Sequence, residues 1–106
     1  MVVFHGIQKQ LIEVRQTKVF AAWLERLKDR NARSRIQVRL DRLALGLAGD
    51  VKPVGGGVSE LRIDYGPGYR VYFTQQGREL VMLLVGGDKR TQARDIERAM
   101  AMARDL

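Results

Sequence analysis

The 106 residues include no cysteine, so neither a disulfide framework nor a thiolate metal site is available. One histidine occurs, His5, and a lone imidazole cannot build a multi-histidine metal centre. No metal or other cofactor is therefore expected. The two prolines fall in breaks between patterned segments, Pro53 two residues before a run of three glycines and Pro67 between two glycines. No apolar run approaches the length of a membrane span, and the N-terminus does not read as a signal peptide. A cytoplasmic protein with no membrane partner is the simplest expectation. Repeats, linkers and low-complexity segments are also missing, so residues 1–106 read as one domain. What is present is a 45% hydrophobic fraction, ordinary for a globular chain, and a formal charge of +7 from 19 basic and 12 acidic residues. Such a surplus attracts polyanions: RNA, DNA or an acidic protein.

Met1 to Gln8 carries little pattern and reads as a loose arm. Gln10 to Arg15 predicts a first strand. Thr17 suits a helix N-cap, and Phe20, Trp23, Leu24 and Leu27 then recur at helical spacing to about Asp29. A turn at Arg30-Asn31 leads to a second helix marked by Ile36, Leu40, Leu43 and Leu47, ending near Gly46. So short a connection predicts an antiparallel hairpin. Leu47 to Gly57 reads as a glycine-rich loop. Val58–Tyr65, Tyr69–Thr74 and Glu79–Val85 read as strands. Thr91 would cap a last helix, Gln92 to about Arg104, with Ala93, Ile96, Met100 and Ala103 on one side. The expected class is α+β in the order β-α-α-β-β-β-α, a twisted, mainly antiparallel sheet with the helix pair on one face.

Gly68-Tyr69-Arg70-Val71-Tyr72-Phe73 alternates, with Val71 and Phe73 on one face and Arg70 and Tyr72 on the other. The last strand is apolar almost throughout, as a strand buried on both faces would be. Setting Tyr65 opposite Tyr69 puts Ile63 against Val71 and Leu61 against Phe73 on the core side. Asp64 then faces Arg70, Arg62 faces Tyr72 and Glu60 faces Thr74, on a polar sheet face left uncovered by the helix pair. Lys89 and Arg90 return to the edge that carries Arg70, and Lys52 would reach in from the loop.

Metal-free RNA cleavage requires a base for the 2′-hydroxyl, charge stabilisation at phosphorus and a proton for the 5′-oxygen. Arginine suits the phosphate through its planar fork, and lysine or tyrosine can move protons when neighbouring cations lower their pKa. Arg62, Arg70, Tyr72 and Lys89 supply these types. Tyr65, Tyr69 or Tyr72 could stack on an unpaired base. The same residues would equally make an ordinary sheet face with an Asp64–Arg70 salt bridge. Residues 26–42 hold seven cations and two acids, and Arg35, Arg39 and Arg42 share a helix face. That face would dock on ribosomal RNA, contact an acidic partner, or simply be solvated.

Several segments together resemble the RelE/ParE toxin superfamily, most closely its HigB-like, phage-derived "addiction module killer" branch. They are Glu60-Leu61-Arg62-Ile63, Gly68 to Phe73, and Leu84-Val85-Gly86-Gly87-Asp88-Lys89 with Thr91 and Ile96. Trp23-Leu24-Leu27-Lys28-Asp29 and Ala32-Arg33-Arg35-Ile36 add to them. The resemblance spans about Ile12 to Ala103. It implies the RelE-like fold and the toxin of a type II toxin–antitoxin pair, an endoribonuclease that cuts mRNA on the ribosome and leaves a cyclic phosphate. A cognate, DNA-binding antitoxin would be its partner. Arg70 would take the family's phosphate-stabilising position, Arg62 its basic residue on the preceding strand, and Lys89 and Arg90 its basic pair after the last strand. Glu60 stands where RelE has a second lysine, Ile96 where it has a tyrosine, and no histidine lies near the site. Proton transfer would fall to Tyr72, Lys89 or Glu60, or be helped by ribosomal RNA. Gyrase inhibition in the manner of ParE, or a non-toxic antitoxin-binding domain, remain alternatives.

Overall fold

The computed structural model describes residues 11–106. The predicted N-terminal arm, with His5, and the first residue of the predicted first strand lie outside them. β1 (Glu13–Gln16) leads into α1 (Lys18–Arg26) and α2 (Arg30–Ala44). β2 (Val51–Gly55), β3 (Val58–Ile63), β4 (Tyr69–Gln76) and β5 (Leu80–Asp88) follow. A 3-10 turn, Lys89–Thr91, then opens α3 (Gln92–Arg104). The sheet order is β1-β5-β4-β3-β2, parallel between β1 and β5 and antiparallel elsewhere. Among the described residues no helix is long and apolar enough to cross a membrane.

Thr17 caps α1 as expected. Its hydroxyl oxygen accepts from Phe20 N at 3.0 Å and its proton goes to Leu84 O at 2.7 Å, which ties the helix start to β5. α1 stops earlier than its apolar spacing suggests. Asp29, expected inside the first helix, is instead the N-cap of α2 and accepts from Asn31 N and Ala32 N. The break therefore falls before Arg30 rather than at Arg30-Asn31. Leu47, expected on the core face of α2, lies beyond the helix and is exposed.

The predicted loop from Leu47 to Gly57 contains a strand. β2 pairs with β3 from Val51↔Leu61 to Gly55↔Val58. Pro53 is tolerated because β2 is the sheet edge, where one row of backbone donors needs no partner. The Gly55-Gly56-Gly57 run closes this hairpin with positive φ at all three residues.

The β3–β4 register differs from expectation by two residues. Ile63 faces Tyr69, Leu61 faces Val71, Arg62 faces Arg70, and Glu60 faces Tyr72. A slip of two keeps every side chain on its predicted face, so the face assignment holds while each cross-strand pair changes. Asp64 and Tyr65 belong to the connection, not to the ladder.

One core lies between the sheet and the helix pair. It is built on Phe20, Ile36, Leu40, Leu43, Leu61, Ile63, Val71, Phe73, Val81 and Leu83, with Trp23 packed against it. A second core lies on the opposite face: Val58, Tyr72, Leu84, Val85 and Ala99, with Ile96, Met100, Met102 and Ala103. A bulge between Tyr72 and Phe73 shifts the β4–β5 register, so Leu84 and Val85 both join the second core. β5 is buried on both faces, as its apolar run predicts. The face expected to be open is covered by α3. Ala93, predicted on the packed side of that helix, is exposed, whereas Ala99 is fully buried. Thr91 makes no side-chain cap for α3. Asp88 caps the 3-10 turn instead, in a reciprocal box with Thr91.

β5 ends in two glycines that bring helices close on opposite faces. A Cβ on Gly86 would lie 2.1 Å from the Trp23 ring, and one on Gly87 would lie 1.9 Å from Asp95 Oδ2. The indole is held against Phe20 and Tyr69, at ring-centroid distances of 5.6 and 6.2 Å, so it has little room to yield. Gly86→Ala should therefore cost about 1–3 kcal/mol by overpacking, read as a lowered urea midpoint at unchanged m.

Candidate functional site

Arg62 and Arg70 lie directly opposite each other near the closed end of the β3–β4 hairpin. Like charges at such a position repel, so each needs a counterion. Arg62 donates from Nε at 3.2 Å and from Nη2 at 3.0 Å to Asp50 Oδ1, at the start of β2. Arg70 points its Nε toward Glu60 Oε1 at 3.8 Å, and its Nη1 donates at 3.2 Å to both Gly68 O and Tyr69 O. Arg70 is 7% exposed and Glu60 fully buried. Glu60 Oε1 and Arg70 Nε have no hydrogen-bond partner in the protein.

The connection 64–68 turns with positive φ at Gly66 and Gly68. A Cβ on Gly68 would come within 3.1 Å of Lys89 Cγ and Cε, so the lysine stem lies across this turn. Arg62, Arg70 and Lys89 thereby line one pocket of about 280 Å³ with Asp50, Asp64 and the Gly66-Pro67-Gly68 turn. One of its two carboxylates, Asp50, is bound to Arg62. A small anion placed there would meet guanidinium and ammonium groups on rigid backbone. Among the described residues no three His, Cys, Asp or Glu side chains converge as a metal site would need.

Tyr72 is elsewhere. Expected beside Arg62 on an open face, it is fully buried beneath α3. Its hydroxyl donates to Glu60 Oε2 at 2.9 Å, and Gln92 Nε2 of α3 donates to the same oxygen at 2.7 Å. Burial first, and the Glu60 carboxylate second, push its phenol far above the ordinary tyrosine value. It is a neutral hydrogen-bond donor and does not line the pocket. Asp95, also buried, accepts from the Thr91 hydroxyl.

The other cations part company. Arg90 is exposed and paired with Asp88 at 3.0 Å. Lys52 is exposed on β2 opposite Glu60, outside the pocket. Tyr69 faces the helix pair, edge-on to Trp23. Arg35 stacks over the Tyr65 ring, 4.6 Å from its centroid. The Tyr65 hydroxyl donates to Asp29, which lowers the pKa of that carboxyl. Arg42, with Arg35 and Arg39, lines a second groove of about 370 Å³ that shares Ile63 and Asp64 with the pocket. Arg39 does structural work there. It donates to the carbonyls of Arg62, Ala48 and Asp50, clamping the α2–β2 loop to β3. Its burial lowers its pKa.

Sequence reasoning did not find Asp50, Gln92 or Asp95. Asp50 follows a glycine in an apparent loop. Gln92 and Asp95 gain meaning only once α3 is laid across the sheet. Arg39→Ala should cost about 1–3 kcal/mol, because three carbonyls lose a charged donor, whereas exposed Arg42→Ala should stay within about 0.5 kcal/mol. Urea unfolding of both variants measures the difference.

A family model described as phage-derived protein, Gp49-like, matches residues 22–105. An uncharacterised protein of Haemophilus influenzae is 47% identical over 95 residues, covering 90% of this chain and 96% of that protein.

Proposed function

The chain belongs to the phage-derived Gp49-like family, and from that premise we propose that it is the toxin of a type II toxin–antitoxin pair, a RelE/HigB-like endoribonuclease that cuts mRNA on the ribosome and is silenced by a cognate, DNA-binding antitoxin. The observation that carries this reading is the convergence of Arg62, Arg70 and Lys89 on one pocket at the end of the sheet. Cleavage of a phosphodiester by its own 2′-hydroxyl accumulates charge on the phosphate oxygens and on the leaving 5′-oxygen. Arg70 is suited to the first task because its carbonyl contacts and Glu60 fix the guanidinium before substrate arrives. Arg62, held by Asp50, offers a second guanidinium. Lys89 is exposed and lines the same pocket, which suits it to protonate the leaving oxygen. The +7 charge favours encounter with RNA.

The test is induction in bacteria, with mapping of mRNA 5′ ends. Lys89→Ala is the informative variant, because Arg70→Ala would strand the buried Glu60 charge and confound folding with function. Wild type should arrest growth and cut inside translated frames. The variant should keep its circular dichroism spectrum and lose cleavage by at least about 100-fold. Growth arrest with intact mRNA would move the target to gyrase or another bound protein. Harmless expression of the wild type would leave a non-toxic antitoxin-binding domain.

A further inference from the structure

We propose that Asp64 is the general base of this site, accepting the 2′-hydroxyl proton of the nucleotide whose phosphate Arg70 and Lys89 hold. The proposal rests on the ribonuclease reading and names a residue that neither the resemblance nor its departures single out.

Several groups in or beside the pocket are candidate proton acceptors. Glu60 is fully buried, and one of its oxygens already takes the Tyr72 hydroxyl and Gln92. Its other oxygen, Oε1, is buried against Arg70 Nε, and Glu60 does not line the pocket. Tyr72 is buried and held neutral, so it cannot take a proton. Lys89 is already assigned to the leaving oxygen as the acid, and one group cannot serve both ends of the same step. Asp50 lines the pocket, but two donors of Arg62 converge on its Oδ1, which commits it to holding that guanidinium. Asp64 remains. It lines the pocket, is exposed, and takes part in none of the ion pairs found among the described residues. It is the first residue after β3, and the pocket lining sets it beside Arg62, Arg70 and Lys89. It also lines the adjoining α2 groove, which gives the next stretch of a bound strand a place to lie.

The step balances. The 2′-hydroxyl proton passes to the Asp64 carboxylate as the O2′–P bond forms. The P–O5′ bond breaks, and the 5′-oxygen takes a proton from Lys89. The products are a 2′,3′-cyclic phosphate and a 5′-hydroxyl, and water returns the proton from Asp64 to Lys89.

The experiment is single-turnover cleavage of a defined mRNA in a purified translation system, by wild type, Asp64→Asn, Asp64→Glu and Asp50→Asn. Binding is measured in parallel with the same mRNA carrying a 2′-deoxy nucleotide at the cut. Asp64→Asn should slow cleavage by roughly 10²–10⁴-fold. It should bind the uncleavable mRNA at least as tightly as wild type, since it removes a negative charge from a phosphate site. Asp64→Glu should recover part of the rate. Asp50→Asn, which releases Arg62 from its counterion, should slow the bound reaction far less than Asp64→Asn does. Cleavage by Asp64→Asn within about threefold of wild type would overturn the assignment and leave the ribonuclease reading standing. Parallel loss of binding and rate in that variant would make Asp64 a binding residue and overturn it too. No cleavage by wild type would remove the ribonuclease reading, and the base with it.

Discussion

The two glycines that end β5 set the geometry on both sides of the sheet. With no side chain at Gly86, the Trp23 indole sits directly on the strand, and α1 is drawn down with it. With none at Gly87, the Asp95 carboxylate reaches the strand from the opposite face, and α3 is drawn across the sheet. The following residues, Asp88 to Thr91, then have one way to leave: a 3-10 turn capped by Asp88 and tied through the Thr91 hydroxyl to Asp95. That turn delivers Lys89 onto the Gly66-Pro67-Gly68 connection. A close-packing requirement at two positions thus fixes where a cation of the candidate site stands, although neither glycine touches the pocket.

The same placement of α3 changes what the polar sheet face is for. Glu60 and Tyr72 face away from the helix pair, as alternation requires, but α3 turns that face into a second interior. In such surroundings an unmatched charge costs several kcal/mol, whereas breaking a matched pair costs about 3–5 kcal/mol. Glu60 and Arg70 are therefore bound to each other more by the penalty for separation than by strong attraction, since their nearest polar atoms are 3.8 Å apart and neither atom is otherwise bonded. Arg70 spans the two environments. One side of its guanidinium is committed to Glu60 and to backbone carbonyls, and the other borders the pocket. A cation fixed in this way needs little rearrangement when an anion arrives, which is what preorganised electrostatic stabilisation requires.

How much of this could be read in the sequence follows from which forces are local. Period-two alternation in β3 and β4 gave the faces correctly, because a residue's face depends only on its own strand. The register did not follow, because it depends on how many residues the turn consumes. Apolar spacing carries the strand through Asp64 and Tyr65, whereas the turn consumes both, so Arg70 faces Arg62 rather than Asp64 and takes Glu60 as its counterion. The Ile96 and Met100 side of α3 was legible as apolar, but nothing in its spacing says which face of the sheet it covers. β2 was hidden because Pro53 and three glycines argue against a strand, and only its edge position permits them. Arg39 shows the limit most plainly. Beside Arg35 and Arg42 it looks like one more surface cation, yet its donors are consumed by three carbonyls that no local pattern could bring within reach.

These placements narrow the chemistry. With Tyr72 neutral and buried, the groups that border the pocket are arginines, a lysine and aspartates. Such a set divides its labour by charge. Guanidinium groups suit the stabilisation of negative charge through their fixed fork of donors. In the proposed reaction, proton movement would then pass between carboxylate and ammonium. Those groups occupy different elements, with Asp64 after β3 and Lys89 after β5, and they meet only because the hairpin turn folds against the end of β5. In the proposed reaction, arrival on two separate elements would let one approach the attacking hydroxyl and the other the leaving oxygen of the same phosphate.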